Sequence, residues 1–337
     1  MRSVAQVDPK LLDPVVGFPF RLSPSDKVVT AGSCFAQHIA RHLKESGFNF
    51  LVTETAHPLL GRATAEAYGY GVFSARYGNV YTSRQLLQLI QRAYGHFAPQ
   101  EAVWSSDGRY YDPFRPSIQP NGFPTLVELE LDRAQHLAAV RQAIENMDVF
   151  VFTLGLTETW VDAADGSAYP TCPGVAAGVF DPTRHRLLNL SVAQVVDDMK
   201  AALGLIRQRN PHVKVILTVS PVPLMATAED RHVLVSTVYS KSVLRVAAEV
   251  VTQELPYVAY FPSFEIITGA FNRGAYFAED LRSVREEGVE HVMRLFFQHA
   301  TAQGPAAAAP PVVEPAIDFD KRLSDVVNVL CDEELLA

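Results

Sequence analysis

Cysteine is scarce. The three in 337 residues, Cys34, Cys172 and Cys331, are odd in number and far apart, so neither a disulfide framework nor a zinc-ligand spacing can be drawn from them. A reducing compartment, the cytoplasm, suits such a chain, and Cys172 and Cys331 read as inert packed thiols. Long apolar runs are missing as well. No uninterrupted stretch reaches the roughly 20 residues that a membrane-spanning helix needs, and Met1 to Lys10 carries Asp8 and lacks the apolar core of a secretory signal. Excess positive charge is also absent: 29 Lys and Arg stand against 37 Asp and Glu, a formal net charge of −8. That balance argues against broad electrostatic binding to nucleic acid or to an anionic membrane, and leaves room for a small basic pocket.

What is present is apolar material for a large buried core, 48% of the chain. Four short runs read as buried parallel strands, at residues 27–32, 148–155, 213–220 and 257–262; they are β-branched or aromatic and end in small or polar residues. Helical patterns lie between them, at Phe35 to Glu45, Ser83 to Tyr94, Arg133 to Asn146, Val192 to Arg209, Val233 to Glu254 and Glu286 to Phe297. Strands alternating with helices predict an α/β fold, a three-layer sandwich about an open parallel sheet with right-handed crossovers. One domain is expected over residues 1–302, with long loops at 97–124 and 161–190; loops of that length in a compact domain are usually lids or functional insertions. A Pro/Ala-rich linker follows at 303–315, then a helical tail at 316–337.

In open α/β sheets, ligands bind beyond the carboxyl ends of the strands. After the first strand stands Ala31-Gly32-Ser33-Cys34, and after the second Gly155-Leu156-Thr157-Glu158-Thr159-Trp160. The third is followed by Ser220-Pro221-Val222-Pro223 and, further on, Arg231-His232; the fourth by Pro262-Ser263-Phe264-Glu265. Hydroxyls, a thiol, carboxylates and a histidine thus converge on one edge.

Gly32-Ser33-Cys34-Phe35-Ala36 resembles the motif that names the GSCFA family. Tyr77-Gly78-Asn79-Val80-Tyr81-Thr82, Asp112-Pro113-Phe114-Arg115-Pro116, Thr153 to Trp160, Ser220 to Leu224, Ser240 to Arg245 and Tyr260 to Ile266 are similar to further blocks of that family in the same order, over roughly residues 20 to 300. The family resembles a branch of the SGNH/GDSL hydrolases. That resemblance implies a flavodoxin-like fold and acyl-ester chemistry, with a nucleophile at a strand–turn–helix, an oxyanion hole and an Asp-x-x-His near the C-terminus.

Two registers of the nucleophile remain open. Aligning the glycine places Cys34 on the superfamily serine; aligning Ser on Ser makes Ser33 the nucleophile. A helix N-terminus offers free N–H groups and a positive dipole end, which activate a thiol and hold an oxyanion. On the structural reading, Ser33 is a helix cap and Cys34 a packed apolar residue. Gly78 and Asn79 correspond loosely to the second block, and Thr157 stands where the superfamily has Asn, a shorter donor. Glu158 is either a site carboxylate or a capping one. The Asp-x-x-His position reads Asp280-Leu281-Arg282-Ser283, so its histidine is missing. His232, at a helix start on the active edge, is the candidate base, with Asp280 to orient it. His291 falls opposite the apolar face of its helix and should be solvated. His38 and His42, at i, i+4, suggest a metal pair only if a third ligand exists. Arg115, Lys241 and Arg245 either bind an anionic part of a substrate or form a solvated face. The function expected is hydrolysis or transfer of an acyl ester on a small molecule or glycan, with no metal or organic cofactor, no nucleic acid and no membrane. The alternative is a catalytically degenerate binding module for a sugar or nucleotide-sugar.

Overall fold

A computed structural model describes residue 4 and residues 7–302; the linker and tail expected at 303–337 lie outside the described residues. Four strands form one parallel sheet: β1 (Val28–Gly32), then, after the hairpin β2 (Trp104–Ser106) and β3 (Arg109–Tyr111), β4 (Val149–Leu154), and later β8 (Lys214–Val219) and β9 (Val258–Tyr260). Their order is β1-β4-β8-β9, in register with Val28 beside Val149 and Val149 beside Lys214. The chain around Phe50 adds a short parallel rung outside β1, where Val28 N donates to Asn49 O and Leu51 N to Val28 O.

The period-two alternation of side chains puts the two faces of each strand into different cores. Val29, Ala31, Phe150, Phe152, Val215 and Leu217 pack under α3 (Ser83–Ala93), α4 (Leu126–Asn146), α5 (Val192–Arg209) and α6 (Val233–Glu254). Val28, Val149, Val151 and Ile216 face the other way, under α1 (Phe35–Glu45), α7 (Ser263–Thr268) and α8 (Glu286–Ala300). Strands buried on both sides explain the near-continuous apolar runs. The result is the α/β three-layer sandwich that the sequence predicts.

Helix boundaries follow the caps. Thr82 with Gln85 and Ser191 with Gln194 make capping boxes at the starts of α3 and α5. α4 begins two turns before its apolar periodicity does, because Thr125 accepts from Glu128 N. Leu126, Val127 and Leu131 in those turns are exposed, so no buried stripe marks them. A short helix α2 (Arg62–Ala67) carries no apolar face.

The two long loops are partly ordered as antiparallel sheet. The 97–124 loop carries the β2–β3 hairpin, turned at Asp107-Gly108, both with positive φ. Residues 158–189 form β5 (Glu158–Asp162), β6 (Ala168–Tyr169) and β7 (His185–Asn189), in the order β6-β5-β7. Trp104 packs on Tyr169 with ring centroids 5.1 Å apart, joining the two insertions. Among the described residues no helix is long and apolar enough to cross a membrane.

Candidate functional site

β1 ends at Gly32, whose φ of 134° is closed to other residues; a Cβ there would lie 2.3 Å from Thr153 O. The glycine lets the chain leave the sheet tightly against β4. Ser33 N donates to Thr153 O at 3.2 Å, and Ala36 N and Gln37 N accept the role of first helical donors, to Ser33 O and Cys34 O. Cys34 is the residue at the start of α1, and no side chain caps the helix. Ser33 therefore does not serve as the cap: its hydroxyl is buried, bonded to nothing, and turned towards the protein. Cys34 is a partly exposed residue and forms no disulfide.

Two further segments are stitched to this turn. Val80 N donates to Gly32 O at 2.8 Å, while Tyr81 O accepts from Gly155 N at 3.0 Å and Leu156 N at 3.2 Å. The loop from Gly78 to Thr82 is thus fixed across the ends of β1 and β4. Asn79 is buried and its Oδ1 accepts from Gln37 of α1. Gly155 passes so close that a Cβ would lie 2.9 Å from Tyr81 O and 3.1 Å from Ser33 Cβ. Behind it Lys241 is buried, its ammonium donating to Gly155 O at 2.6 Å. The structure thus brings together Gly32, Ser33, Cys34, Gly78, Asn79, Gly155 and Lys241. Lys241 contributes a positive charge to the floor of the turn, where the sequence suggested a substrate-facing or solvated cation. Arg245, one turn on, instead binds Glu265 and Glu249.

Other expected members are engaged elsewhere. The Thr157 hydroxyl donates to Asn189 Oδ1 at 2.6 Å and its N–H to Ser240 Oγ at 3.0 Å, so both donors of this buried residue are engaged within the fold. Glu158 accepts from Thr227 and from Ala228 N. His232 is exposed and caps α6, its Nδ1 accepting from Leu234 N at 3.1 Å. Asp280 closes a turn on Ser283 and on the N–H of Arg282; burial opposes its ionisation, but these bonds hold its carboxyl below the usual range. Neither His232 nor Asp280 faces the other in these bonds.

Arg115 also changes role. It is buried between Asp112 and Asp132 and donates to Arg76 O. Arg76, Arg92 and Arg133 join the same cluster, and Glu54 pairs with His136 at its inner end. Burial alone would raise the Asp112 carboxyl, yet Arg115, Arg92 and Arg133 outweigh it and hold it far below the ordinary range. Burial of His136 lowers its pKa to about 4, so the ring is neutral near pH 7. The cluster clamps the 112–118 loop to α3 and α4; the Arg115 guanidinium, with Nε on Asp112, Nη1 on Arg76 O and Nη2 on Asp132, has little left for an anionic ligand. The sequence held the Asp-Pro-Phe-Arg block but no sign that four arginines share its carboxylates.

His291, expected in solvent, is buried between Tyr276 Oη at 2.7 Å and Leu12 O at 2.8 Å. The N-terminal segment covers the second face of α8, with Arg294 donating to Lys10 O and His299 pairing with Asp13. A helical wheel cannot see that cover. His38 stands one turn after Cys34, half-buried against Phe35; residues four apart on a helix have Cβ atoms about 6 Å apart. Burial, with Arg41 adding to it, lowers its pKa to about 4, leaving a neutral ring at pH 7. Among the described residues no group of three His, Cys, Asp or Glu is placed to hold a metal ion.

Parallel strands delivering a Gly-Ser-Cys turn onto a helix N-terminus, braced by the loop at Asn79 and the bend at Gly155, define an α/β protein with a tightly built corner at the carboxyl edge of its sheet. The chain belongs to the GSCFA family, which matches residues 27–296. None of the curated proteins compared with it matches.

Proposed function

We propose that this chain hydrolyses or transfers acyl esters carried on a small molecule or glycan, through Cys34. One observation carries the choice of residue. Cys34 is partly open to solvent at the start of α1, while the Ser33 hydroxyl is shut inside. A nucleophile must reach an external carbonyl, and a thiolate at a helix N-terminus is favoured by the dipole. In this reading the thiolate attacks the ester carbonyl, the tetrahedral oxyanion is held by donors of the Gly32–Cys34 turn and the Asn79 loop, and the alkoxide leaves with a proton. Water or an acceptor hydroxyl then takes the acyl group from the thioester and frees the thiol. His38, on the same helix as Cys34, is the base in this reading in place of the exposed His232; burial lowers its pKa to about 4, so the ring is free to accept a proton at pH 7 but is a weaker base than an ordinary imidazole. The placement in the SGNH-like superfamily and a cytoplasmic setting that keeps the thiol reduced belong to the same proposal.

The engagement of His232 and Asp280 in local turns favours a second reading, a degenerate binding module for a sugar or nucleotide-sugar. Turnover of p-nitrophenyl acetate separates the two. Cys34→Ala should abolish it, Ser33→Ala should retain most of it, and His38→Gln should lower kcat more than KM. No turnover by the native chain, or equal rates in Cys34→Ala, would hand the case to the binding module.

A further inference from the structure

Beside the reactive corner a second feature goes unused by this chemistry. Between the β5–β6–β7 sheet and residues 224–228 lies a cleft of about 150 Å³, open on one side. Tyr81 and Leu156 form its inner wall, the same residues that are bonded around Gly155, so the cleft begins where the reactive turn ends.

The lining is of two kinds. Trp160, Leu187 and Leu224 offer apolar faces, with Trp160 half-buried and braced edge-on by Phe180, ring centroids 5.3 Å apart. Against them stand a carboxylate and a hydroxyl. Both Glu158 oxygens already accept one bond each, from Thr227 Oγ1 and Ala228 N, and a carboxylate oxygen can accept more. Thr171 is 1% exposed and its Oγ1 is bonded to nothing. A buried hydroxyl without a partner costs free energy that a ligand hydroxyl would recover. Cys172, next in the chain, is partly exposed, in no disulfide, and also lines the cleft.

These features select the occupant. An aliphatic acyl chain would leave the Thr171 hydroxyl unmet and desolvate Glu158 for nothing. An anion would meet the carboxylate. A ring with an apolar face for Trp160 and neutral hydroxyls for Glu158 and Thr171 satisfies both walls. We propose that the cleft binds a neutral pyranose ring, the acceptor or leaving group of the ester. Its role as part of an ester rests on the acyl-transfer reading; its binding of a sugar does not.

The native chain, with Cys172 as reporter, tests this directly. Iodoacetamide labelling of Cys172 is followed by peptide mass while methyl glucoside, methyl galactoside or N-acetylglucosamine is titrated, and Trp160 fluorescence is read in parallel, with the fully buried Trp104 as a constant background. At about ten times its Kd a ligand slows labelling about tenfold, so at least one of these sugars should protect Cys172 and saturate. Thr171→Val removes only the unpartnered hydroxyl and should weaken that sugar about tenfold, the loss of one ligand hydrogen bond. Protection by octanoate with none by any sugar, or protection unchanged in Thr171→Val, would overturn the proposal. Sugar protection that persists in a chain without ester turnover keeps the sugar site and removes the acyl chemistry; turnover without sugar protection does the reverse.

Discussion

Two adjacent side chains at one turn have opposite environments, and that difference is measurable. Ser33 Oγ is buried without a partner, so Ser33→Ala removes an unmet polar group and should leave stability within about 1 kcal/mol of native or raise it, by urea unfolding. A larger loss would mean that the hydroxyl has a bond the fold depends on. The thiols should separate as well. Burial pushes the Cys172 thiol above its ordinary pKa, so its thiolate is scarce near neutral pH. Cys34, at the start of α1, is on the side of the dipole that favours the thiolate. Iodoacetamide at pH 7 should therefore modify Cys34 first, with the gap closing as pH rises through the Cys172 value. Faster labelling of Cys172 would place Cys34 outside the reactive class.

At the scale of elements, the 97–124 loop is held by charge where a short loop would be held by packing. Asp112 is fully enclosed, bonded to Phe114 N and Arg115, with Arg133 at 3.5 Å and Arg92 at 3.9 Å. Asp112→Asn keeps the shape and removes the charge, leaving buried guanidinium groups short of an anion. Breaking such a cluster costs about 3–5 kcal/mol, and the urea midpoint should fall accordingly. Because the clamp also positions Arg76 O and the chain leading to Asn79, ester turnover should fall with it. An unchanged midpoint would show that Asp132 and Glu54 suffice to balance the arginines. This cluster is also where sequence reading stopped. The strands at β1, β4, β8 and β9, the exact spans of α5 and α6, and the Gly-Ser-Cys turn were legible because each depends on local periodicity, a cap or a strand end. The fates of Arg115, Thr157 and His232 were not, since each depends on a partner far along the chain or on a cap that any histidine could make. Lys241 shows the same limit: a lysine on a helix reads as solvated until the carbonyl of Gly155 is seen to meet it.

At the scale of the whole molecule, the fold keeps buried histidines neutral, and this sets how stability responds to acid. His136 is wholly buried, with a folded pKa of about 4 against the ordinary 6.5. Between those values the unfolded chain takes up a proton that the folded chain refuses, so stability falls as pH drops from 6.5 towards 4. Two and a half units amount to about 3 kcal/mol for this one ring. His38 shifts the same way but is half-buried and contributes less. Below that window the depressed carboxyls of Asp112 and Glu54 continue the loss, because both must be protonated on unfolding in acid. Asp198 acts in the opposite sense: burial outweighs Arg84 and raises its carboxyl, so protonating it in the carboxylate range favours the fold. The histidines come first, and the net slope between pH 6.5 and 5 should be a decline of about 2 kcal/mol. Urea unfolding of the native chain at pH 7, 6 and 5 should show that decline, and His136→Gln should flatten it whatever its own stability. A native chain equally stable at all three values, or an equally steep His136→Gln, would mean that His136 takes up its proton in the fold and that the Glu54 pair, not burial, governs it.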